Sequence, residues 1–241
     1  NVLIWHSFVN HHLPQLPQIL TYFLANLYLH CMKVLLDNFY LIEQQISQVR
    51  RHLPHGYSRQ LPRLADGLSA GFPRIYDLAL QLISHMDGRI DKENVTQFIA
   101  AYQTVKPLKL GELWAFPIML QLALLENIRR VALRIARRRE ELNAAISWAD
   151  RMLATAEKEP NQLIQLLAEF ANADVPLTAP FVEEFYARLQ AQGSAMAFVQ
   201  TWVEQKLLEQ GITATQLSEV AGRTAAANQI SIANSIGSLR F

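Results

Sequence analysis

The longest helical period in this sequence lies in residues 110–156, LGELWAFPIMLQLALLENIRRVALRIARRREELNAAISWADRMLATA. Apolar residues recur there at steps of three and four, which predicts one long amphipathic helix. Pro117 falls early in the segment, so we expect it to bend the helix rather than to end it. Arginines crowd the later half, at positions 129, 130, 134 and 137–139. They form either a solvated face, partly neutralised by Glu140 and Glu141, or a face that contacts phosphates or an acidic partner.

Shorter helices are predicted on both sides of this segment. One covers about residues 18–51, and another begins near Pro73, where a proline suits the first turn of a helix. Asp91 is a good N-cap for a third helix, because its carboxylate can accept from free backbone N–H groups. Beyond Pro160 we expect three or four more, over residues 162–171, 179–191, 194–209 and from 213 onward. Since strand-type alternation is nearly absent, the sequence predicts an all-α, irregular multi-helix bundle with no sheet.

A link rich in glycine and proline lies between the first two of these helices. It reads GYSRQLPRLADGLSAGFPRIYDLAL, residues 56–80. Its glycines permit positive φ and its prolines fix φ, so the sequence predicts an ordered irregular connection. Such a connection must satisfy its own backbone carbonyls, and arginine side chains are well suited to this. Arg59, Arg63 and Arg74 therefore either brace the link against helix ends or contact something outside it, such as a neighbouring domain or an anionic group.

The composition limits the classes of function. Hydrophobic residues make up 51% of the 241 residues and charged residues 18%, as in a well-buried helical protein or a part of a larger assembly. The formal net charge of +1 gives no reason to expect nucleic acid as a partner. Cys31 is the one cysteine, which excludes an internal disulfide. The apolar stretches at 19–36 and 113–125 hold polar residues or are too short, so we expect no direct membrane span in this segment.

Three parts are predicted along the chain. They are an irregular arm at residues 1–17, a helical core region at 18–158 and a second helical sub-bundle at 159–241. The break at Pro160 separates the last two, which could also form one continuous domain. Because the chain begins at Asn1 and lacks a closing polar tail, we expect it to be a segment of a longer protein.

Motifs that would mark an autonomous enzyme are missing from the sequence. There is no P-loop, G-x-G-x-x-G, G-x-S-x-G, H-E-x-x-H or paired C-x-x-C, so no cofactor and no metal site are expected. His6, His11 and His12 lack matching ligands nearby and are interpreted as part of a solvated or docked arm. His85 and Asp87 lie at a helix end, where general acid–base chemistry would require a surrounding cleft.

Four short motifs, in order, carry a resemblance to a known family. They are D-N-x-x-L-I-E-x-Q at 37–45, L-P-x-G-Y-x-R-x-L-P-x-L at 53–64, G-x-P-R-x-Y at 71–76 and L-x-x-G-E-L-W-A at 108–115. Together with the closing QISIANSIGSLRF, they resemble the N-terminal helical region of bacterial cyclic β-1,2-glucan synthases. The likeness is dense over residues 34–139 and brief over 228–241.

The resemblance implies a part of a large inner-membrane protein that makes β-1,2-glucan from UDP-glucose and closes it into rings. The spaced aspartates and the Q-x-x-R-W of the family's transferase are absent here. The resemblance therefore implies a non-catalytic helical scaffold on the cytoplasmic side of the membrane, whose partners are the other domains of the parent synthase. A carbohydrate-binding module that holds the glucan is the alternative, and an autonomous enzyme the second alternative. The candidates for ligand or domain contact are Tyr57, Arg59, Arg63, Arg74, Tyr76, Glu112 and Trp114.

Overall fold

The computed structural model describes residues 30–52, 60–67, 69–190 and 196–240. Nine α-helices lie within these ranges, and no strand does. The helices are α1 (His30–Asp37), α2 (Phe39–His52), α3 (Arg74–His85), α4 (Lys92–Val105), α5 (Leu110–Lys158), α6 (Leu163–Asn172), α7 (Ala179–Leu189), α8 (Ala197–Glu209) and α9 (Ala214–Ser238). A short 3-10 helix, Pro160–Gln162, precedes α6. The predicted all-α fold without a sheet is confirmed.

The chain divides into two compact units. Unit 1 comprises Asn1–Leu133 and Ala227–Phe241, and unit 2 comprises Arg134–Ala226. Helices α5 and α9 each contribute residues to both units. Compactness does not measure independent folding, so the predicted boundaries at 17 and 158 stay predictions.

The buried residues of unit 1 come from helices that are distant in sequence. Helices α1, α2, α3, α5 and α9 all bury apolar side chains, whereas α4 buries none. Among the most deeply buried are Leu35, Ile42, Val49, Ile75, Ala79, Met119, Leu122, Leu125, Ile128 and Ile232. The last of these follows the whole of unit 2 in the sequence, so the end of the chain returns to complete the first unit.

Unit 2 packs around a cluster of aromatic rings. The centroid of the Phe170 ring lies 5.1 Å from that of Trp148, 5.5 Å from that of Trp202 and 5.6 Å from that of Phe185. Apolar residues of α5, α6, α7 and α8 surround these rings. Aromatic pairs at such distances add about 0.5–1.5 kcal/mol each beyond the burial of their area. The tryptophans of this unit, Trp148 and Trp202, therefore pack against the core.

Local signals in the sequence explain several helix ends. Asp91 accepts from the backbone N–H of Asn94 and caps α4, which confirms the predicted N-cap. Pro117 lies inside α5, which runs on through it to Lys158. The predicted helix at 18–51 differs, because the described part of it is interrupted at Asn38. The side-chain amide of Asn38 donates to the carbonyl of Val34 at 2.8 Å, a local bond that competes with the helical ladder.

Among the described helices, none has the combination of length and apolar composition that crossing a membrane requires.

Candidate functional site

The predicted link is an ordered turn over its described residues, 60–67 and 69–73. Arg63 and Pro73 form an isolated antiparallel bridge, and Gly71 donates to the carbonyl of Leu64 at 2.9 Å. Nη1 of Arg63 donates to the carbonyl of Gly71, also at 2.9 Å. Arg63 thus holds the two sides of the turn together by a bond within the link.

A buried ion pair joins two of the family motifs. Arg74, from G-x-P-R-x-Y, donates through Nε to Oε1 of Glu112 at 3.0 Å and through Nη2 to Oε2 at 2.6 Å. Glu112, from L-x-x-G-E-L-W-A, is 0% exposed and Arg74 is 8% exposed. Nη2 of Arg74 also approaches the carbonyl of Pro107 at 3.3 Å, and the guanidinium lies 5.9 Å from the ring centroid of Tyr102. Such two-pronged pairing is the strong form of a charge-assisted hydrogen bond.

Glu112 lies at the start of α5, and this position lets it pair with Arg74. Leu110 is the first residue of the helix, so Glu112 lies in its first turn, where a negative charge is favourable. Its Oε2 accepts from the backbone N–H of Lys109 at 2.9 Å, the return bond of a capping box. One carboxylate therefore starts α5 and fixes α3 against that start.

A second charged cluster lies further along α5 and near Tyr76. Glu126 is 3% exposed and accepts from Arg129 at 2.7 and 2.8 Å and from Nε of Arg130 at 2.7 Å. Burial works to raise the pKa of Glu126, but the hydrogen bonds and charges of the two arginines outweigh it and lower that pKa. Burial raises the pKa of Tyr76 far above its usual range, with the Glu126 charge adding to the effect. Tyr76 is thus a neutral core residue beside an ionised carboxylate.

Replacing Glu126 by glutamine should destabilise the protein at neutral pH much more than in acid. We expect a loss of about 2 kcal/mol at pH 7, because the three charge-assisted hydrogen bonds from Arg129 and Arg130 to a buried carboxylate are weakened or lost. The folded-state pKa lies below the ordinary value of 4.5, so this stabilisation is complete above that pH and is lost as the pH falls through the folded-state pKa. Urea unfolding of the protein and of Glu126→Gln between pH 7 and pH 3 measures the difference. The exposed Glu140→Gln change on the same helix is the control, and an equal loss at both pH values would contradict the assignment.

The last helix of unit 1 is held to a turn and to α5 by hydrogen bonds. Ser238 Oγ accepts from the N–H of Ile90 and donates to the carbonyl of Gly88, both at 2.9 Å. Nδ2 of Asn127 lies 2.9 Å from Oγ of both Ser231 and Ser235. The three serines are four and three residues apart and so share one face of α9. That face is closed by contacts within the chain.

The first motif of the family, D-N-x-x-L-I-E-x-Q, contacts the closing stretch of the chain. Gln45, the final residue of D-N-x-x-L-I-E-x-Q, is buried and donates to the carbonyl of Leu239 at 3.0 Å. Asn38 of the same motif accepts from Nη2 of Arg240 at 2.9 Å. The first motif and the closing stretch, which both carry the resemblance, therefore meet in unit 1.

One apolar face of unit 1 points outward. Trp114 is 74% exposed and Leu110 is 66% exposed. The two lie four residues apart on α5 and so share a face, while Glu112 between them points inward. We call Leu110 and Trp114 the α5 apolar face.

The predicted site residues do not come together as one catalytic cluster. Arg74 and Glu112 pair with each other, Arg63 binds the link, Tyr76 is buried, and Trp114 faces outward. Tyr57 and Arg59 lie outside the described residues, as do the histidines at 6, 11 and 12. Within the described ranges, no group of three or more His, Cys, Asp or Glu side chains could hold a metal ion.

Arginines of the run at positions 129–139 bind different partners. Arg129 and Arg130 bind Glu126 rather than Glu140 or Glu141, and Nη2 of Arg138 lies 4.0 Å from Glu183. Glu126 was not among the residues predicted from the sequence. Its spacing of three and four residues before two arginines was the available signal, since side chains at those steps are neighbours on a helix.

Comparison with known proteins agrees with the motifs. The chain is 30% identical over 206 residues to the cyclic beta-(1,2)-glucan synthase NdvB of Rhizobium meliloti (strain 1021). The predicted resemblance is confirmed. The match covers 86% of this chain but 7% of NdvB, so the chain spans a small part of the relative's length. No protein-family model matches the chain.

Proposed function

We propose that the chain is a non-catalytic helical scaffold region of a cyclic β-1,2-glucan synthase-like glycosyltransferase. One observation carries this proposal: the polar motif residues that resemble the family bind each other. Arg74 and Glu112 are buried as a pair, and Gln45 is buried against the backbone of Leu239. Residues that bind a substrate or a reacting group need access to a cleft. Residues used in this way instead fix helices in place.

The scaffold acts by holding the other domains of the parent synthase, on the cytoplasmic side of the inner membrane. The α5 apolar face is the surface that we assign to this contact. Tryptophan is enriched among the residues that carry the binding energy of protein interfaces, and Leu110 adds exposed apolar area beside Trp114. The chain matches 7% of NdvB, so a synthase of that length has ample other surface to cover this face.

Removing the α5 apolar face should impair a synthase that contains this segment without unfolding the segment. We expect Leu110→Ala and Trp114→Ala each to change the free energy of unfolding by no more than about 0.5 kcal/mol, because both side chains are exposed. The measurement is glucan synthesis from UDP-glucose by NdvB whose matched segment is replaced by this chain. We expect the double variant to lose at least about ten-fold in rate.

The matched control is Leu208→Ala, since Leu208 is also 66% exposed but lies in unit 2. Full activity of the Leu110→Ala, Trp114→Ala chimera would contradict the docking role of this face. The isolated chain should form no glucan from UDP-glucose, and turnover by the chain alone would favour the autonomous-enzyme alternative.

A carbohydrate-binding helical module is the second candidate, and the exposure of Trp114 favours it. Aromatic side chains that face solvent can stack on the apolar faces of sugars, since they offer a large rigid surface. Titration with linear and cyclic β-1,2-glucan, followed by tryptophan fluorescence, separates the two candidates. A saturable change that Trp114→Ala abolishes would support glucan binding at this face, and no change at millimolar glucan would leave the scaffold role.

A further inference from the structure

A cleft in unit 2 is lined by polar side chains that no part of the proposed function uses. It lies between the last turns of α5 and the helix α6, which are joined by the 3-10 helix at Pro160–Gln162. Its volume is about 340 Å³, at the small end of the roughly 300–1,000 Å³ of ligand sites. The lining residues are Arg151, Thr155, Gln162, Gln165 and Glu169, with Ala154 and Leu166 as the apolar part.

One wall of this cleft is held in place by the aromatic core. The guanidinium of Arg151 lies over the ring of Trp148, 4.4 Å from its centroid, and Trp148 packs against Phe170. Nη2 of Arg151 also binds Oε2 of Glu169 across the cleft at 2.9 Å. The ring of Trp148 and the carboxylate of Glu169 hold the Arg151 side chain in place before a ligand binds. The side chain therefore loses less conformational entropy when a ligand binds.

The charges and polar groups of the cleft define the ligand that fits it. Arg151 and Glu169 neutralise each other, so the cleft has no net attraction for an anion such as a phosphate. The amide of Gln165 and the hydroxyl of Thr155 can each donate and accept hydrogen bonds, whereas the amide of Gln162 already donates to the carboxylate of Glu159. A neutral molecule with many hydroxyl groups donates and accepts in the same way, and its C–H faces suit Ala154 and Leu166.

We propose that this cleft binds glucose units of a β-1,2-glucan chain. The assignment of the sugar rests on the proposed function, because it takes the glucan from the parent synthase. The cleft is separate from Trp114, which belongs to unit 1, so the scaffold role does not depend on it.

The test is a titration of the whole 241-residue chain with the β-1,2-linked disaccharide of glucose, followed by NMR amide shifts. We expect saturable shifts at Thr155 and Gln165, with a Kd on the order of 1 mM because the cleft is small and open. Gln165 is exposed in the free protein, so Gln165→Ala should weaken binding roughly three- to ten-fold, as expected for the loss of one hydrogen bond to the ligand. Gln205→Ala, an exposed glutamine of the same unit that does not line the cleft, should leave binding unchanged.

Three results would overturn the proposal. They are no saturable shift up to about 20 times the expected Kd, shifts that Gln165→Ala leaves unchanged, or tighter binding of inorganic phosphate than of the disaccharide. The first would leave the scaffold role standing, because that role is measured separately in the chimeric synthase. Binding that survives in Trp114→Ala would support the cleft over the α5 apolar face as the sugar site.

Discussion

Replacing Arg74 by methionine should lower the free energy of unfolding by about 3–5 kcal/mol. The change leaves Glu112 as a buried carboxylate without its cation, and breaking a buried pair from one side has costs of about this size. The reverse change, Glu112→Gln, should also destabilise, because it leaves the Arg74 guanidinium without its counter-charge. Urea unfolding followed by circular dichroism measures both variants against the unsubstituted chain.

The double variant Arg74→Met with Glu112→Gln distinguishes a pair from two independent residues. Removing both charges often restores much of the stability lost in either single variant. A glutamine at 112 can also still accept from the N–H of Lys109, so the start of α5 keeps its return bond. We expect the double variant to be at least about 1 kcal/mol more stable than Arg74→Met alone. Additive losses would contradict direct coupling between the two side chains.

Among the glycines of the described residues, Gly88 should cost the most stability when it is replaced by alanine. Gly88 has φ of 78°, and a Cβ there would clash with Oγ of Ser235 and lie 3.0 Å from the carbonyl oxygen of Ser231. The backbone of α9 would have to move away from the turn. Left-handed strain and overpacking together predict a loss of roughly 2–5 kcal/mol.

Gly71→Ala is the control for the strain alone. Gly71 has nearly the same φ, 83°, but a Cβ there has no atom within 4 Å. We expect it to lose about 1–2 kcal/mol from the left-handed conformation. Thermal unfolding of both variants tests the difference. Equal losses of stability would show that a Cβ at position 88 fits without displacing α9.

Short-range signals in the sequence predicted the fold class and several helix ends. The period of α5 and the N-cap at Asp91 depend on neighbours within a few residues, so the sequence alone contains them. The break at Asn38 was missed because its cause is a side-chain bond that helical periodicity does not report.

The site was predicted less well because its contacts join distant residues. Arg74 and Glu112 were both named as candidates, but nothing local shows that a residue 38 positions away is the partner. The closeness of Gly88 to Ser235 depends on the return of α9 after the whole of unit 2, which no local pattern reports. Trp114 could have been core or surface from its pattern, and only the packing of α5 decides this.

We propose that the motif residues serve structure and not chemistry. The measurement is synthesis of cyclic β-1,2-glucan by NdvB that carries this chain as its matched segment, with and without Arg74→Met and Glu112→Gln together. A structural role predicts that the double variant, once its folding and abundance are matched to the unsubstituted chimera, makes glucan at a rate within about two-fold of it. A folded, equally abundant double variant that makes no glucan would contradict the claim, because the pair would then act on substrate or product rather than on α3 and α5.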